Sequence, residues 1–368
     1  MENIFDIADN LGPEKVVHIH RPGAGLRAIV VIDNVARGPS IGGARMAPDV
    51  SFSECARLAR AMTLKNAAAG LSHGGGKSVI FADPNMSSNE KEALIRAFAS
   101  AIASLDDYIV GPDMGTNETC MAWVHEEIGR AVGLPADVGG IPLDEIGATG
   151  LGVAAAAAVA EEFCEISLKG ARVAVQGFGA VGRHAANFLS QKGAVLVAAA
   201  DSKGTVHNPD GIVVADLIRK KHETGSLNGM KGAKYLDPED VVGVDCDIWI
   251  PAARPDVLRA DNIDRLKAKL VIQGANIPAT QEAEQLLHQQ GILSVPDFIA
   301  NAGGVICAAV EYHGGSRQTA FSAIEEKITE NTRAVLQAAA QANEPPRKAA
   351  YSLAEARVRS AMALRRWR

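Results

Sequence analysis

The segment that most restricts the architecture runs from residue 172 to 201. RVAVQ reads as a strand, GFGAVG as a glycine turn, RHAANFLSQK as a helix and AVLVAAAD as a second strand closing on Asp201. Gly177, Gly179 and Gly182 thus form GxGxxG between a strand and a helix, and Asp201 follows the last of them by 19 residues. The first glycine permits a tight turn, the second lets backbone approach a pyrophosphate, and the third lets the helix lie close to the sheet. Unpaired N–H groups at the helix start then face the anion. Gly177, Phe178, Gly179, Ala180, Val181 and Gly182 are therefore candidate cofactor contacts. Asp201 can accept ribose hydroxyls, and its charge opposes a 2′-phosphate, which points to NAD rather than NADP. Lys203 and Arg183 stand close enough in sequence to contact phosphate or to be plain surface charges. A GxGxxG alone also fits a tight packing turn; the strand, helix, second strand and acid in order favour the dinucleotide.

A chain of 368 residues exceeds the size at which one core stops growing, so two domains are expected. Apolar bursts at 246–250, 269–273 and 291–295 extend the strand–helix alternation over 145–300, predicting a largely parallel sheet covered on both faces. The residues before about 135 form a separate α/β unit: a strand at 26–32, a helix from Ser53 to Ala69, a short strand SVIFA, a helix over about 88–105, and a helix capped by Thr116 or Asn117 that runs to Arg130. Five glycines between 139 and 152 mark a hinge or a ligand loop. The helical pattern from about 319 to the end is expected to return to the first domain. The fold class is α/β in two domains with a cleft between: 1–138 with about 331–368 for substrate binding and oligomerisation, and 139–330 as a Rossmann-type dinucleotide domain.

With 37 Lys plus Arg against 43 Asp plus Glu, the net charge of -6 gives no field for polyanions, and no basic, aromatic-interleaved stretch suits RNA. Arg365, Arg366 and Arg368 read as a solvated helix end. The acidic start MENIFDIADN has neither a basic stretch nor an apolar core segment, so neither secretion nor organelle import is expected, and Val153 to Ala160 falls far short of the roughly 20 residues of a membrane span. Five cysteines, odd in number and without CxxC, suit a reducing compartment, so a cytoplasmic location is expected. His18 and His20 alternate on one strand without a nearby third ligand; a surface or interface strand is favoured over a metal site.

Lys65 in MTLKNAAAG, Lys77 in SHGGGKS and Asp113 in GPDMGT lie in glycine- and alanine-rich surroundings. Lys77, after three glycines, suits a pocket wall or a strained turn, although lone lysines are mostly solvated and Asp113 could cap the following helix. A P-loop is excluded because Leu71 stands where its first glycine is needed.

Taken in order, GPSIGGARM (38–46), MTLKNAAAGLSHGGGKSVI (62–80), GPDMGT (111–116), ATGLGV (148–153), VQGFGAVG (175–182), QGAN (273–276) and PDFIANAGGVI (296–306) resemble the glutamate, leucine, phenylalanine and valine dehydrogenase superfamily over nearly the whole chain. The resemblance implies that Lys65 holds the substrate α-carboxylate, that Lys77 is the catalytic lysine and that Asp113 exchanges protons with the amino group. It implies that Thr149 and Asn276 lie near the nicotinamide and its ribose, and that Asn301 borders nicotinamide and substrate. The expected reaction is reversible, NAD-dependent oxidative deamination of an L-amino acid to its 2-oxo acid and ammonia by a homo-oligomer. Hydride loss from Cα leaves an iminium to which water must add, and a lysine whose pKa falls through desolvation and a second cation, Lys65, can deprotonate that water.

For substrate choice, the glutamate members place a lysine and a serine on the side-chain carboxylate. Ile41 and Ala308 stand there in this chain, and Ile41, Gly42, Gly111, Val305 and Ala308 are the residues expected beside the substrate side chain. Neither Ile41 nor Ala308 pairs with a γ-carboxylate, and leaving one buried and unpaired is costly. Phenylalanine-type members resemble this chain in carrying glycine at Gly111, and Gly111 with Ala308 would leave room for a ring. Expected substrates are apolar, aromatic first and branched aliphatic next. The alternatives are a leucine/valine or glutamate dehydrogenase, an NADP-linked one, or a silent dinucleotide-binding homologue acting in protein association.

Overall fold

The structure, a computed structural model, describes residues 4–365, so Arg366 and Arg368 lie outside the described residues. It divides into two compact units, Met1–Pro142 with Val305–Ala320 and Ser352–Arg368, and Leu143–Gly304 with Phe321–Tyr351.

In the first unit, β1 (Lys15–Arg21), β2 (Leu26–Asn34), β3 (Ser40–Ala47), β4 (Gly74–Phe81) and β5 (Tyr108–Pro112) form a sheet in the order β1-β2-β4-β3-β5. β1 and β2 pair antiparallel, as do β2 and β4, whereas β3 runs parallel to both β4 and β5. Alternation along β2 sends Leu26, Ala28, Val30 and Ile32 into a core with Phe98, Tyr108 and Met121, and turns Ile29 and Val31 toward Cys55, Ala59 and Val79. The helices covering these faces are α1 (Phe52–Ala68), α2 (Ser88–Ala101) and α3 (Glu118–Ile128). Their starts are set by side-chain caps: Ser51 accepts from Glu54 N, Ser87 and Glu90 form a capping box, and Asn117 rather than Thr116 caps α3.

The strand expected as SVIFA begins earlier, at Gly74, so the triple glycine is central strand and not a turn. The reason is crowding. A Cβ on Gly75 would stand 1.9 Å from Thr63 N of α1, and one on Gly74 1.8 Å from Asn34 O. Glycine here lets α1 press onto the sheet.

The second unit holds α4 (Ala148–Ala160), β6 (Arg172–Gln176), α5 (Ala180–Gln191), β7 (Val195–Ala200), β8 (Thr205–His207), α6 (Val214–Thr224), β9 (Lys234–Leu236), β10 (Ile248–Pro251), β11 (Leu270–Ile272), α7 (Gln281–Gln289), β12 (Leu293–Val295) and α8 (Asp297–Ala300). Its sheet runs β12-β11-β10-β6-β7-β8-β9, parallel from β12 through β7 with β8 and β9 antiparallel at one edge. Strand order reverses at β6, between β7 and β10, which is the topological switch point where α/β sheets of this kind bind ligands. Trp249 is fully buried in its core and donates from Nε1 to Val241 O.

Three further helices, α9 (Gly303–Tyr312), α10 (Arg317–Ala342) and α11 (Pro346–Ala363), complete the chain. The sequence suggested one return to the first domain near 331, whereas the path alternates. Residues 305–320 join the first unit through Glu311, whose carboxylate accepts from Gly133, Leu134 and Ile141 N–H groups. Residues 321–351 pack on the second, with Phe321 edge-on to Phe188 and Arg333 on Glu162. In the first unit again, Arg357 donates to the carbonyls of Ala67 and Ala68 at the end of α1. Among the described residues no helix is long and apolar enough to cross a membrane, and all five cysteines are free.

Candidate active site

The first unit gathers a charged cluster on the sheet face that α1 covers. Lys77 on β4, Gly43 and Arg45 on β3, and Gly111 and Asp113 at the end of β5 are brought side by side by the parallel register, in which Ala44 pairs with Ser78 and Gly43 with Gly111. Lys77 Nζ lies 2.9 Å from Asp113 Oδ2, with its side chain only 6% exposed. Arg45 Nε reaches the same carboxylate oxygen at 2.8 Å, while its Nη1 holds Glu54 at 2.5 Å. Burial pulls the Lys77 ammonium below the usual lysine range; Asp113 opposes this and Arg45 adds to it. For Asp113, burial favours the neutral acid, yet the Lys77 and Arg45 cations outweigh it and hold the carboxyl low. Arg45 is therefore a second cation acting on Lys77.

A Cβ at Gly43 would stand 2.8 Å from Asp113 Cβ and 3.2 Å from Lys77 Nζ, so this glycine opens the gap through which the pair meets across β3. Gly42, expected beside the substrate, faces the other side, where a Cβ would be 1.7 Å from Gly76 O; packing demands its glycine. Ile41 shares the Lys77 face and is buried. Val305 is half-buried and Ala308 buried on α9. Next to Gly111, Val132 Cγ2 stands 3.3 Å from where a Cβ would be, so a side chain at this position would press on Val132. Lys65 is half-buried in the last turn of α1. Asp113 caps no helix; its loop is held by Thr116, which accepts from Asp113 N and donates to Ala44 O.

His73 is buried, with Nδ1 3.0 Å from Pro39 O and Nε2 3.1 Å from His313 Nε2. Burial pushes the Cys307 thiol up to about 12, which leaves it inert as a nucleophile. Among the described residues no three His, Cys, Asp or Glu side chains could hold a metal, and His18 and His20 are exposed on β1.

In the second unit the turn after β6 has the form a dinucleotide requires. Gly177 is left-handed at φ 96, and a Cβ on Gly182 would stand 2.0 Å from Gly177 O, so both glycines serve the turn itself. Gly179 differs: a Cβ there would meet nothing within 4 Å, and α5 begins after it without a side-chain cap. A glycine with no internal neighbour, at a helix start whose N–H groups lack a cap, is a cradle fitted to a pyrophosphate. Ala180 and Val181 open α5 half-buried, whereas Phe178 is buried in the core, so only its backbone is available to a ligand.

Asp201 accepts from Lys203 N at 2.8 Å and Gly204 N at 3.2 Å, and pairs with Lys221 Nζ at 2.6 Å. Burial raises its carboxyl, but Lys221 and the backbone donors bring it below the usual range. Lys203 turns to Gly225 O. Asn301 Nδ2 donates to Asn276 Oδ1 at 2.9 Å, while Asn301 Oδ1 is buried without a partner. Such an orphaned acceptor fits a carboxamide donor. Thr149 lies against the same segment, its Oγ1 3.2 Å from a Cβ on Gly304. Arg45, Gly43 and Lys221 went unread in the sequence; only the two-residue spacing of Gly43 and Arg45 in GGARM hinted that they share a face.

A Rossmann-type sheet with this turn, alongside a unit holding a buried lysine paired with an aspartate, defines a nicotinamide-dependent oxidoreductase. The chain belongs to the Glu/Leu/Phe/Val dehydrogenase family: residues 139–366 match the Glutamate/Leucine/Phenylalanine/Valine dehydrogenase model and residues 13–130 its dimerisation domain. It is an amino acid dehydrogenase of that family. It is 37% identical over 357 residues to glutamate dehydrogenase of Aeropyrum pernix, covering 91% of this chain and 85% of that one. It is 38% identical to NADP(+)-dependent glutamate dehydrogenase of Pyrobaculum calidifontis, over 76% of this chain and 70% of the relative. Among solved structures, the leucine-bound hetero-hexameric glutamate dehydrogenase of Thermus thermophilus superposes with a TM-score of 0.84 at 30% identity, over 97% of this chain and 91% of that one. L-tryptophan dehydrogenase of Nostoc punctiforme gives 0.78 at 27%, over 98% and 100%.

Proposed function

We infer that the chain catalyses reversible oxidative deamination of an L-amino acid to its 2-oxo acid and ammonia, with Lys77 and Asp113 as proton-transfer groups. The observation that carries this is the pairing of buried Lys77 with half-buried Asp113, with Arg45 on the same carboxylate. When bound, the nicotinamide accepts the hydride from the substrate Cα. The chain's own residues do the rest. Lys77, depressed by burial, gives up its proton more readily than a solvated lysine and can take one from water adding to the iminium carbon. Asp113, kept ionised, can receive a proton and deliver it to the departing nitrogen. Lys65 is assigned to the α-carboxylate. On the dinucleotide side, Gly179 and the α5 N-terminus would take the pyrophosphate, Asp201 the ribose, and Thr149, Asn276 and Asn301 the nicotinamide end.

Glutamate is the favoured substrate, because relatives over most of the chain carry that name, and it displaces the apolar amino acid expected from the sequence. A second reading, an apolar substrate, is kept by one observation: Ile41 and Ala308 are buried and uncharged where a γ-carboxylate would need a cation. NAD is the proposed coenzyme, since Asp201 opposes a 2′-phosphate, although Lys221 offsets part of that charge. The dimerisation-domain match and the hexameric relative support oligomer formation. The free cysteines support a reducing, cytoplasmic setting. A panel of amino acids with NAD and NADP, followed by absorbance of the reduced coenzyme, tests these points. Highest kcat/KM for glutamate with NAD is expected. An apolar amino acid ranking first would establish the second reading, and NADH binding without turnover of any amino acid would overturn the enzymatic one.

A further inference from the structure

The second unit holds a half-buried arginine that the reaction itself does not use. Arg347, at the start of α11, donates to three acceptors from three segments: Glu284 of α7 at 2.9 Å, Gln273 Oε1 after β11 at 2.7 Å and Asp297 at the start of α8 at 2.8 Å. Its guanidinium also lies over the Phe298 ring, 5.8 Å from the centroid. The side chains of Glu284 and Asp297 are 5% and 7% exposed, so neither carboxylate has water as an alternative partner. Gln273 completes the net, donating to Glu284 at 2.5 Å and Ser294 at 3.0 Å and accepting from Asp297 N.

The net ends on a strained elbow. Asp297 turns its second oxygen to the backbone N–H of Ile277, at 2.8 Å. Ile277 sits at φ 49, a left-handed conformation that a β-branched residue adopts only when its surroundings impose it, and the residue is 59% exposed. Nothing apolar buries it, so burial does not supply the force. The neighbouring Asn276 is the residue whose amide oxygen Asn301 binds. From Arg347 the chain of contacts runs through Asp297 to Ile277, and from there to the Asn276–Asn301 pair.

We propose that Arg347 is a positioning residue for the nicotinamide end of the dinucleotide site. It locks Asp297 so that the Asn276–Ile277 elbow holds its left-handed turn and keeps the Asn276 and Asn301 amides aimed at the ligand. The inference rests on the dinucleotide reading given above. It separates the two halves of the coenzyme, because the turn at Gly177–Gly182 and Asp201 makes no bond to Arg347 or its acceptors. The alternative is a plain structural ion cluster that affects stability everywhere alike.

The test compares NADH with ADP-ribose, which lacks the nicotinamide, by fluorescence titration and calorimetry on the full-length wild type, Arg347→Lys, Asp297→Asn and Asn301→Ala. Arg347→Lys keeps the charge but gathers its three donors on one atom, which does not reproduce the planar fork that reaches Glu284 from Nε and Gln273 and Asp297 from Nη2. It is expected to weaken NADH by about tenfold while ADP-ribose stays within about twofold, and to lower kcat by more than it raises the KM for the amino acid. Asp297→Asn should show the same split even if Arg347→Lys folds poorly. Equal losses for NADH and ADP-ribose, or no loss for either, in the folded variants would overturn the proposal. If Asn301→Ala leaves NADH binding intact, the nicotinamide assignment fails instead; if Asn301→Ala shows the split and neither Arg347→Lys nor Asp297→Asn does, this proposal alone fails.

Discussion

The two units prepare for ligand by opposite means. The first keeps its chemistry in side-chain charge: Lys77, Asp113, Arg45 and Glu54 neutralise one another through ion pairs before any substrate arrives. The second keeps its recognition in backbone and missing side chains, above all at Gly179, which has no internal neighbour to explain it. Burying a charge requires partners, so the first site comes pre-paired. An anion cradle requires unpaired N–H groups and free space, so the second stays bare. One site should therefore break by neutralising a charge without changing shape, and the other by adding shape without changing charge.

The sharpest break is expected at the charged site. Lys77→Ala and Asp113→Asn should each lower kcat by about 10³-fold or more, the scale of a lost proton-transfer group, while NADH affinity, measured by fluorescence titration, stays near wild type. A wild-type rate in either variant removes that residue from the mechanism. The converse comes next in size. Gly179→Val should weaken NADH binding by about 10²-fold yet leave the melting temperature unchanged, since a Cβ at this position meets nothing within 4 Å inside the protein. Gly182→Val is the control: its Cβ would strike Gly177 O at 2.0 Å, so stability itself should fall. Equal melting losses in both would mean that Gly179 serves the fold after all.

Coenzyme choice tests the Asp201–Lys221 pair of the second site. Asp201 is bound to Lys221, so the variant Asp201→Ser removes the group that repels a 2′-phosphate and releases a lysine that attracts one. The ratio of kcat/KM with NAD to that with NADP should fall by about tenfold. A ratio that holds would show that another part of the turn sets the preference.

How much of this could be read from the chain follows from where each contact originates. Gly177 to Gly182 and Asp201 are legible because a βαβ unit is local, and its spacing carries its geometry. Lys77 and Asp113 stand out by their glycine-rich settings and by resemblance. Arg45 does not, since its bond to Asp113 comes from β3 lying parallel between β4 and β5, a pairing of segments distant in sequence. Lys221 is hidden for the same reason, on a helix that folds back to Asp201 twenty residues later. The triple glycine signalled that bulk was forbidden, but a turn and a crowded central strand forbid it equally, and only Thr63 pressing on Gly75 tells them apart. Likewise, the small residue at Gly111 suggested room, and only tertiary packing brings Val132 beside it.

The smallest effect is the most specific to the charged site, and it concerns Arg45. Its positive charge depresses Lys77, whereas Asp113, which it also holds, raises Lys77. Arg45→Met removes the first influence and leaves Asp113 free to serve Lys77 alone, so both changes move the lysine pKa upward. Asp113 loses one of its two cations, so its own pKa moves up as well. Deamination needs Lys77 neutral and Asp113 ionised in the proposed mechanism, and both conditions are then met only at higher pH. The rising limb of kcat/KM against pH should shift to the alkaline side in Arg45→Met and stay in place in Arg45→Lys, which retains the charge. A shift toward acid in Arg45→Met, or an equal shift in both variants, would mean that Arg45 acts on the shape of the site rather than on the proton held by Lys77.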